Sequence, residues 1–477
     1  MLVRQVADPK LAQFAYLIGC PRTGEALVID PERDVDRYFD VAARHNLRIV
    51  AAADTHIHAD YLSGLREMAA RGVFVYASKE GGPDWQYEWL IHGHYSHRLL
   101  GHGDQFAVGF IEVRTVHTPG HTPEHLSYLV RDAGSGAKDF IGLASGDFVF
   151  VGDVGRPDLL ERAAGIVGVM EPSARAQFMS IQREFRPLPE FLQVWPAHGA
   201  GSACGKSLGD VPTSTVGYEL RTNRSIQAAA VDDRTFIDFI LSGQPEPPLY
   251  FARMKRDNRR GPELLSAPPS PSPLAASDLA GIENRTDIAV LDTRSRDAFF
   301  EGHLAGSLLT ELDYQFCSIA GCYVPEGMPI YLVIDETRLD EAVRALVRVG
   351  LDRIVRYVTP ETLGEYERNG GTLRRTTTID MGTLEADRVA GRAHMLDVRG
   401  QAEFEAGHVP DAVHVPHTRI GASADTLPRD KPLVVYCRSG ARAAAAVAML
   451  ERLGFTAIDV NDNFANYRRA EHAAARA

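Results

Sequence analysis

The chain has 477 residues, of which 45% are hydrophobic and 24% are charged, and its formal net charge is −12 at pH 7. This composition excludes a disordered or fibrous protein, and the length predicts about three domains. The negative charge and the absence of a long basic run in the sequence argue against nucleic acid as a partner.

The sequence also predicts the compartment of the protein and the state of its cysteines. No segment approaches the ~20 consecutive apolar residues of a transmembrane helix, and residues 1–20 show no signal-peptide pattern. We therefore expect a cytoplasmic protein without a membrane partner. The 5 cysteines are an odd number spread over a long chain, which predicts free thiols. The sequence leaves the oligomeric state open, a homo-oligomer included.

The N-terminal region begins with strands. The apolar runs 14–18 and 26–29 flank a turn at residues 20–24 and predict a hairpin. A helix follows, and residues 49–53 then predict a buried strand that ends at Asp54. A cluster of histidines begins directly after this strand.

Histidines and aspartates are concentrated in four segments of this region. They are THIHADY at 55–61, HTPGHTPEH at 117–125, SGD at 145–147 and PAHG at 196–199. A single histidine is usually a hydrogen-bonded structural residue. Four loops that carry ligand-type residues, one of them at a strand end, favour a metal site instead.

This pattern resembles the metallo-β-lactamase fold superfamily over about residues 1–250 and, within it, the persulfide dioxygenases. The resemblance implies one Fe(II) per domain, held by His56, His121 and Asp147. Two histidines and one carboxylate also match the facial triad of non-haem iron oxygenases, which keeps coordination positions for a substrate thiolate and O2.

Residues around these ligands are expected to have supporting roles. Tyr61 stands where hydrolases of the superfamily have a histidine, which argues against a two-zinc hydrolase. The remaining motif residues are expected to orient the ligands or to hydrogen-bond bound water; they are His58, Asp60, Tyr61 and His198.

Two further residues have alternative interpretations. Arg156, in the segment VGDVGRPD at 151–158, either binds a carboxylate of a thiol carrier such as glutathione or forms a structural ion pair with Asp158. Cys204, on a glycine-rich loop after His198, either accepts or relays sulfur in catalysis or is a small buried hydrophobic residue.

A proline-rich segment and an internal repeat divide the rest of the chain. PELLSAPPSPSP at 262–273 predicts a linker, 261–275, after a first domain of residues 1–260. AVLDTRSRDAFFEGH at 289–303 then recurs as HMLDVRGQAEFEAGH at 394–408. Each copy continues with an apolar run and a helical pattern, which predicts two domains with parallel sheets, 276–373 and 376–473.

The second copy contains a cysteine at a strand-to-helix turn. The apolar run 433–436 leads into Cys437, where unpaired helix N–H groups, Arg438 and Arg442 stabilise a thiolate or a persulfide. This CRSGAR segment resembles the rhodanese (sulfurtransferase) family, which implies that Cys437 is the catalytic nucleophile that carries sulfane sulfur. In the first copy Asp335 occupies that position, so we expect a degenerate domain without this reaction.

Together the resemblances imply an α/β protein in which a metallo-β-lactamase αββα sandwich precedes two rhodanese-like domains with parallel sheets. The implied function is oxidation of a thiol persulfide by O2 to sulfite and thiol, with sulfur transfer between persulfide and sulfite or thiosulfate, in sulfide detoxification. One alternative is a zinc-dependent thioester hydrolase of the glyoxalase II type with an attached rhodanese. Another is a non-catalytic sulfur-sensing scaffold.

Overall fold

The computed structural model describes residues 1–163 and 165–467, which belong to two compact units. The first unit comprises residues 1–267 and 347–350, and the second comprises residues 268–346 and those from 351 onward. The predicted last domain ends at residue 473, outside the described residues. Within the described ranges, no helix has the length and apolarity needed to cross a bilayer.

Two six-stranded sheets form the centre of the first unit. Both are in sequential strand order and mix parallel with antiparallel pairs, and the predicted hairpin is the antiparallel pair β2/β3. The first sheet contains β1 Leu2–Asp8, β2 Gln13–Cys20, β3 Glu25–Ile29, β4 Arg48–Ala53, β5 Phe74–Ser78 and β6 His97–Leu100. The second contains β7 Gln105–Val108, β8 Ile111–His117, β9 Leu126–Asp132, β10 Gly142–Gly146, β11 Gln193–Pro196 and β12 Ser214–Thr215.

Helices cover the outer faces of both sheets. They are α1 Asp36–Arg44, α2 Leu65–Ala70, α3 Glu88–Ile91, α4 Leu159–Arg162, α5 Met170–Ser180, α6 Val216–Thr222, α7 Arg224–Val231, α8 Asp233–Leu241 and α9 Phe251–Arg260. One core joins the facing sheets, with Leu27 and Ile18 of the first against Tyr128 and Trp195 of the second. Separate cores lie under the helices on each outer face. The predicted helix–sheet–sheet–helix sandwich is confirmed.

The second unit contains two five-stranded sheets whose described strand pairs are all parallel. One contains β13 Ser272–Pro273, β14 Ala289–Asp292, β15 Leu308–Leu309, β16 Ile330–Val333 and β17 Ile354–Val358, and the other β18 Thr378–Ile379, β19 His394–Asp397, β20 Val413–His414, β21 Leu433–Tyr436 and β22 Ala457–Val460. Their helices are α10 Arg296–Glu301, α11 Phe316–Tyr323, α12 Leu339–Arg348, α13 Pro360–Arg368, α14 Met381–Val389, α15 Gln401–Glu405, α16 Ile420–Ser423 and α17 Ala441–Arg452.

The repeat in the sequence is also a repeat in the structure. The strand orders β13-β17-β16-β14-β15 and β18-β22-β21-β19-β20 are the same order in two copies. Arg294 pairs with Asp292 and donates to the carbonyl of Gly302, as Arg399 does with Asp397 and the carbonyl of Gly407. The repeated LDxR and GH segments therefore fix equivalent loops, and the predicted parallel sheets are confirmed.

Candidate metal centre and sulfur-carrying loop

Three loops that follow strand ends in the first unit carry the predicted metal ligands, and a fourth carries the predicted supporting residue His198. Residues 54–61 follow β4, and residues 118–125 follow β8. Asp147 follows β10 directly, and His198 lies two residues after β11. Strand ends of both sheets therefore bring residues from distant parts of the sequence to one buried region.

The first cluster in this region consists of His56, His121 and Asp147. One nitrogen or oxygen atom of each lies within 4.8 Å of the others, and all three side chains are buried. The Nε2 atom of His121 is 3.4 Å from Oδ2 of Asp147. Neither carboxylate oxygen of Asp147 has a hydrogen-bond partner among the described residues. Because a buried, unpartnered carboxylate is costly, this donor set fits a cation.

Hydrogen bonds at the opposite ring nitrogens orient both imidazoles. His56 Nδ1 lies 2.9 Å from Oγ1 of Thr55, which in turn donates to Asp30. His121 Nδ1 lies 3.1 Å from the backbone oxygen of Arg156. These contacts leave Nε2 of each ring for a ligand, as is usual for histidines that bind metals.

The Asp147 backbone is held by His125, which the sequence motif includes but does not assign. His125 Nε2 accepts from the amide of Asp147 at 3.0 Å, and Thr118 contacts Nδ1 of His125 at 2.8 Å. Gly146 has φ +55°, and a Cβ there would meet the His125 ring and Thr55. Glycine at 146 therefore lets the backbone pass close to His125 and Thr55, which places Asp147 in the cluster.

His58 contacts groups outside the first cluster. Its Nε2 atom lies 3.2 Å from Oδ1 of Asp30 and 3.1 Å from the hydroxyl of Tyr61. Burial lowers the pKa of His58, but the carboxylates of Asp30, Asp54 and Asp60 together outweigh that effect, and the resulting pKa is about 9. The Nε2 atom of His58 is therefore engaged by Asp30 and Tyr61 and not by the first cluster.

A second buried group adjoins the first. Asp60, His198 and Cys204 also offer atoms within 4.8 Å of one another. His198 Nε2 lies 3.4 Å from a carboxylate oxygen of Asp60 and 3.4 Å from one of Asp147. Burial raises the pKa of the Cys204 thiol well above its usual value. In this structure the thiol form of Cys204 is favoured, and its part in catalysis remains a prediction.

Arg156 is completely buried beneath this region. Its guanidinium donates to both carboxylate oxygens of Asp158 at 2.8 and 2.7 Å, and its backbone oxygen contacts His121. The ion pair with Asp158 is one of the two roles that the sequence leaves open. A contact between Arg156 and substrate remains a prediction.

Helix α9 holds the first metal-site loop, a contact that no motif in the sequence predicts. The side-chain amide of Asn258 donates to the backbone oxygens of His58 and Tyr61 at 2.9 and 2.7 Å. Its oxygen accepts from the amide of Ser63 at 2.8 Å. The only signal in the sequence is the basic segment FARMKRDNRR at 251–260, which is typical of a solvated helix.

A cavity of about 680 Å³ lies beside the first cluster. Ile57 and Gly120, the sequence neighbours of His56 and His121, line it. Four cationic side chains of α9 also line it: Lys255, Arg256, Arg259 and Arg260. Burial lowers the pKa of Lys255 to about 8, against the opposing charge of Glu124. The cavity therefore has a positively charged wall, and it borders the loops that carry His56 and His121.

The second candidate site is the loop between β21 and α17. Cys437 is buried, and its Sγ accepts a hydrogen bond from the amide of Gly440 at 3.1 Å. Arg442 forms two hydrogen bonds with Glu403, at 2.6 and 2.8 Å. Arg438 lines an adjacent cavity of about 670 Å³ together with Phe464. The turn thus presents the sulfur to the amide of the residue that precedes α17.

The equivalent turn in the first copy is built differently. The prediction that Asp335 takes the position of Cys437 is wrong by one residue: β16 ends at Val333 as β21 ends at Tyr436, so Ile334 stands at that position. Asp335 is the next residue, and its carboxylate accepts from the amide and hydroxyl of Thr337 at 2.9 and 2.7 Å. A 3-10 turn, Glu336–Arg338, then leads into α12. This turn carries no thiol, so it cannot form a persulfide.

Comparisons with known proteins agree with this geometry. Residues 8–198 match the metallo-beta-lactamase superfamily, and residues 381–469 match the rhodanese-like domain. A solved structure of a metallo-beta-lactamase from Staphylococcus aureus subsp. aureus COL is 39% identical, covers 76% of this chain and 99% of that chain, and has a TM-score of 0.67. The chain belongs to the metallo-β-lactamase superfamily.

Curated relatives within the metallo-β-lactamase superfamily have different activities. Persulfide dioxygenase ETHE1, mitochondrial, of Bos taurus is 27% identical over 201 residues, 42% of this chain and 68% of that relative. A hydroxyacylglutathione hydrolase of Actinobacillus pleuropneumoniae serotype 3 (strain JL03) is 26% identical over 185 residues, 38% of this chain and 65% of that relative. The predicted combination of a metallo-β-lactamase domain that has persulfide dioxygenase relatives with a C-terminal rhodanese-like domain is confirmed.

Proposed function

We propose that the first unit is an iron-dependent dioxygenase that oxidises a low-molecular-weight thiol persulfide. The balanced reaction is RSSH + O2 + H2O → RSH + sulfite + 2 H⁺. The observation that carries the proposal is the buried cluster of His56, His121 and Asp147, whose carboxylate lacks any hydrogen-bond partner among the described residues. His58 supports it, because its Nε2 contacts Asp30 and Tyr61 instead.

Different residues of the site would bind the iron, orient its ligands and attract the substrate. The His56 and His121 imidazoles and the Asp147 carboxylate would hold ferrous iron, which would supply binding and activation of a sulfur ligand and O2. Thr55 and the backbone of Arg156 keep the two imidazoles oriented. Lys255 and the arginines of α9 attract the anionic part of a thiol carrier, glutathione for example, so that its sulfur lies next to the cluster.

The last domain is proposed to transfer sulfane sulfur through Cys437. With thiosulfate as donor, the Cys437 thiolate attacks the sulfane sulfur, the donor S–S bond breaks, and sulfite leaves with the electron pair. The product is a Cys437 persulfide, whose charge the Gly440 amide and the other N–H groups at the start of α17 stabilise. In the other direction, the Cys437 thiolate would take the outer sulfur of RSSH and release RSH, and sulfite from the first unit would then attack that sulfur, releasing the Cys437 thiolate and thiosulfate. The two reactions together would remove sulfide-derived persulfides.

The similarity to hydroxyacylglutathione hydrolases favours zinc-dependent thioester hydrolysis as a second candidate. One experiment separates the two. Metal-free full-length protein is loaded with Fe(II) under argon or with Zn(II), and each form receives glutathione persulfide or a hydroxyacylglutathione thioester. We expect sulfite only from the iron form in air. Thioester hydrolysis by the zinc form, without sulfite from the iron form, would overturn the dioxygenase proposal.

The control variant for this experiment is Asp147→Asn. It keeps the size of the side chain but removes the charge that balances a divalent cation. We expect bound iron and sulfite formation to fall together in this variant. Full sulfite formation by Asp147→Asn would contradict the assignment of Asp147 as a ligand.

A further inference from the structure

In the second unit, a helix of the copy that has no equivalent of Cys437 packs on the helix that follows Cys437. Helix α10 and strand β15 contact α17 through one buried apolar cluster, Phe299, Phe300, Leu309, Ala444 and Ala448. Helix α10 begins at Arg296, and α17 begins at Ala441. The packing therefore places the first residue of α10 near the sulfur-carrying loop.

Arg296 reaches the residue that hydrogen-bonds the sulfur. Its Nη1 atom occupies the space that a Cβ would take on Gly440, whose amide donates to Sγ of Cys437 at 3.1 Å. Gly440 also has φ +94°, a conformation that other residues rarely adopt. Glycine is thus required at 440 for two independent reasons. Its φ is positive, and the guanidinium of Arg296, from the other copy, leaves no room for a Cβ.

The charge of Arg296 is less compensated than that of two other arginines near the loop, Arg442 and Arg399. Arg442 is bound by Glu403 and Arg399 by Asp397, each through two hydrogen bonds at least. The Nε atom of Arg296 has no hydrogen-bond partner among the described residues.

Three carboxylates lie near Arg296, and one of them, Glu311, accepts from its backbone amide at 2.6 Å. The exposed Asp297 lies 3.8 Å from its Nε atom. Asp459 is completely buried without a hydrogen-bond partner in the described part of the chain, and the Arg296 charge acts on it. Burial raises the pKa of Asp459 to about 7, so this carboxyl is only partly ionised at neutral pH. Positive charge consequently remains beside Gly440.

We propose that Arg296, from the copy that lacks a nucleophile, is a positioning residue of the Cys437 loop. Its guanidinium packs against Gly440. Its positive charge attracts anionic sulfur donors and stabilises the anionic persulfide of Cys437. The degenerate copy thereby contributes directly to the active copy. The inference rests on the proposed sulfur transfer at Cys437.

The test compares Arg296→Met, Arg296→Lys and the control Arg285→Met in the full-length protein. Arg285 is an exposed arginine of the same copy that pairs with Asp287. Cys437 is alkylated with anionic iodoacetate or neutral iodoacetamide, and its peptide is quantified by mass spectrometry. We expect Arg296→Met to lower the iodoacetate rate about tenfold relative to the iodoacetamide rate, as loss of a nearby positive charge predicts. Arg296→Lys should keep most of the preference for iodoacetate, and the control should keep all of it.

The second readout is sulfur transfer from thiosulfate to cyanide. Arg296→Met should raise KM for thiosulfate more than it lowers kcat, and Arg296→Lys should restore KM. An unchanged iodoacetate preference in Arg296→Met would overturn the inference. Equal losses with both reagents, without rescue by lysine, would also overturn it, because they indicate a purely steric role. If the wild type transfers no sulfur while the iodoacetate preference depends on Arg296, the charge inference holds and the proposed transferase activity fails.

Discussion

Substituting Asn258 tests how the metal-site loop is held in place. Asn258→Ala removes three buried hydrogen bonds, to the backbone oxygens of His58 and Tyr61 and from the amide of Ser63. Each contributes about 1 kcal/mol net, so the free energy of unfolding of the first unit should fall by about 3 kcal/mol. The loss would be larger if the three backbone groups stayed buried without partners.

Tryptophan fluorescence can isolate the first unit in this measurement. The protein has 3 tryptophans, Trp85, Trp89 and Trp195, and all lie within residues 1–267. Urea titrations followed by their emission therefore report unfolding of that unit. Asn369→Ala, an exposed position of the second unit, is the control and should leave the transition unchanged.

A companion variant tests the direction of the hydrogen bonds. Asn258→Asp keeps the acceptor for Ser63 but sets a carboxylate against two carbonyl oxygens, so it should destabilise at least as much as alanine. Because the same loop carries His56, iron affinity should fall about tenfold to a hundredfold in both variants, measured by competition with a chelator. A change in unfolding free energy below about 0.5 kcal/mol for Asn258→Ala, within the range of ordinary surface substitutions, would refute the reasoning.

Three further predictions concern single side chains. Lys255→Ala should raise KM for glutathione persulfide about tenfold in O2-uptake assays, because one cation of the cavity wall is lost, whereas Lys255→Arg should retain most of the wild-type affinity. Cys437→Ser should abolish thiosulfate sulfurtransferase activity and leave persulfide-dependent O2 uptake unchanged; retained transferase activity would exclude Cys437 as the sulfur carrier. Burial, assisted by the charge of Arg442, lowers the pKa of His417 to about 4. Between about pH 6.5 and 4 the unfolded chain therefore binds a proton that the folded chain does not, so the last domain should lose stability as the pH falls through this window. Hydrogen exchange of the α17 amides, corrected for intrinsic rates, should show this loss and its reduction in His417→Gln.

The metal cluster could be predicted because each of its residues follows a strand end. Motifs such as THIHADY and SGD combine a local structural signal with ligand-type side chains, so their convergence follows from the sheet topology. The contacts by which α9 holds the metal-site loop could not be predicted in this way. Asn258 and Lys255 lie in a basic helix about 200 residues further along the chain, and no local pattern indicates which face of that helix packs on the site.

The sulfur-carrying loop illustrates the same limit. The strand, the cysteine and the following helix are local features, and the sequence predicts all three. Partner choice is a property of tertiary packing, so the sequence predicts neither that Glu403 binds Arg442 nor that Arg296 of the other copy packs against Gly440. For Arg156 the sequence does offer the observed partner, because Asp158 is only two residues away.

The central claim is tested most directly by O2 uptake. Full-length protein is purified without air, loaded with Fe(II) and mixed with glutathione persulfide in an oxygen-electrode cell, and sulfite is trapped and quantified. The account predicts one O2 consumed per sulfite formed, and loss of both in His121→Ala, which lacks one of the proposed ligands. Absence of O2 uptake by the wild type with iron bound, for glutathione persulfide and for other persulfide carriers, would contradict it.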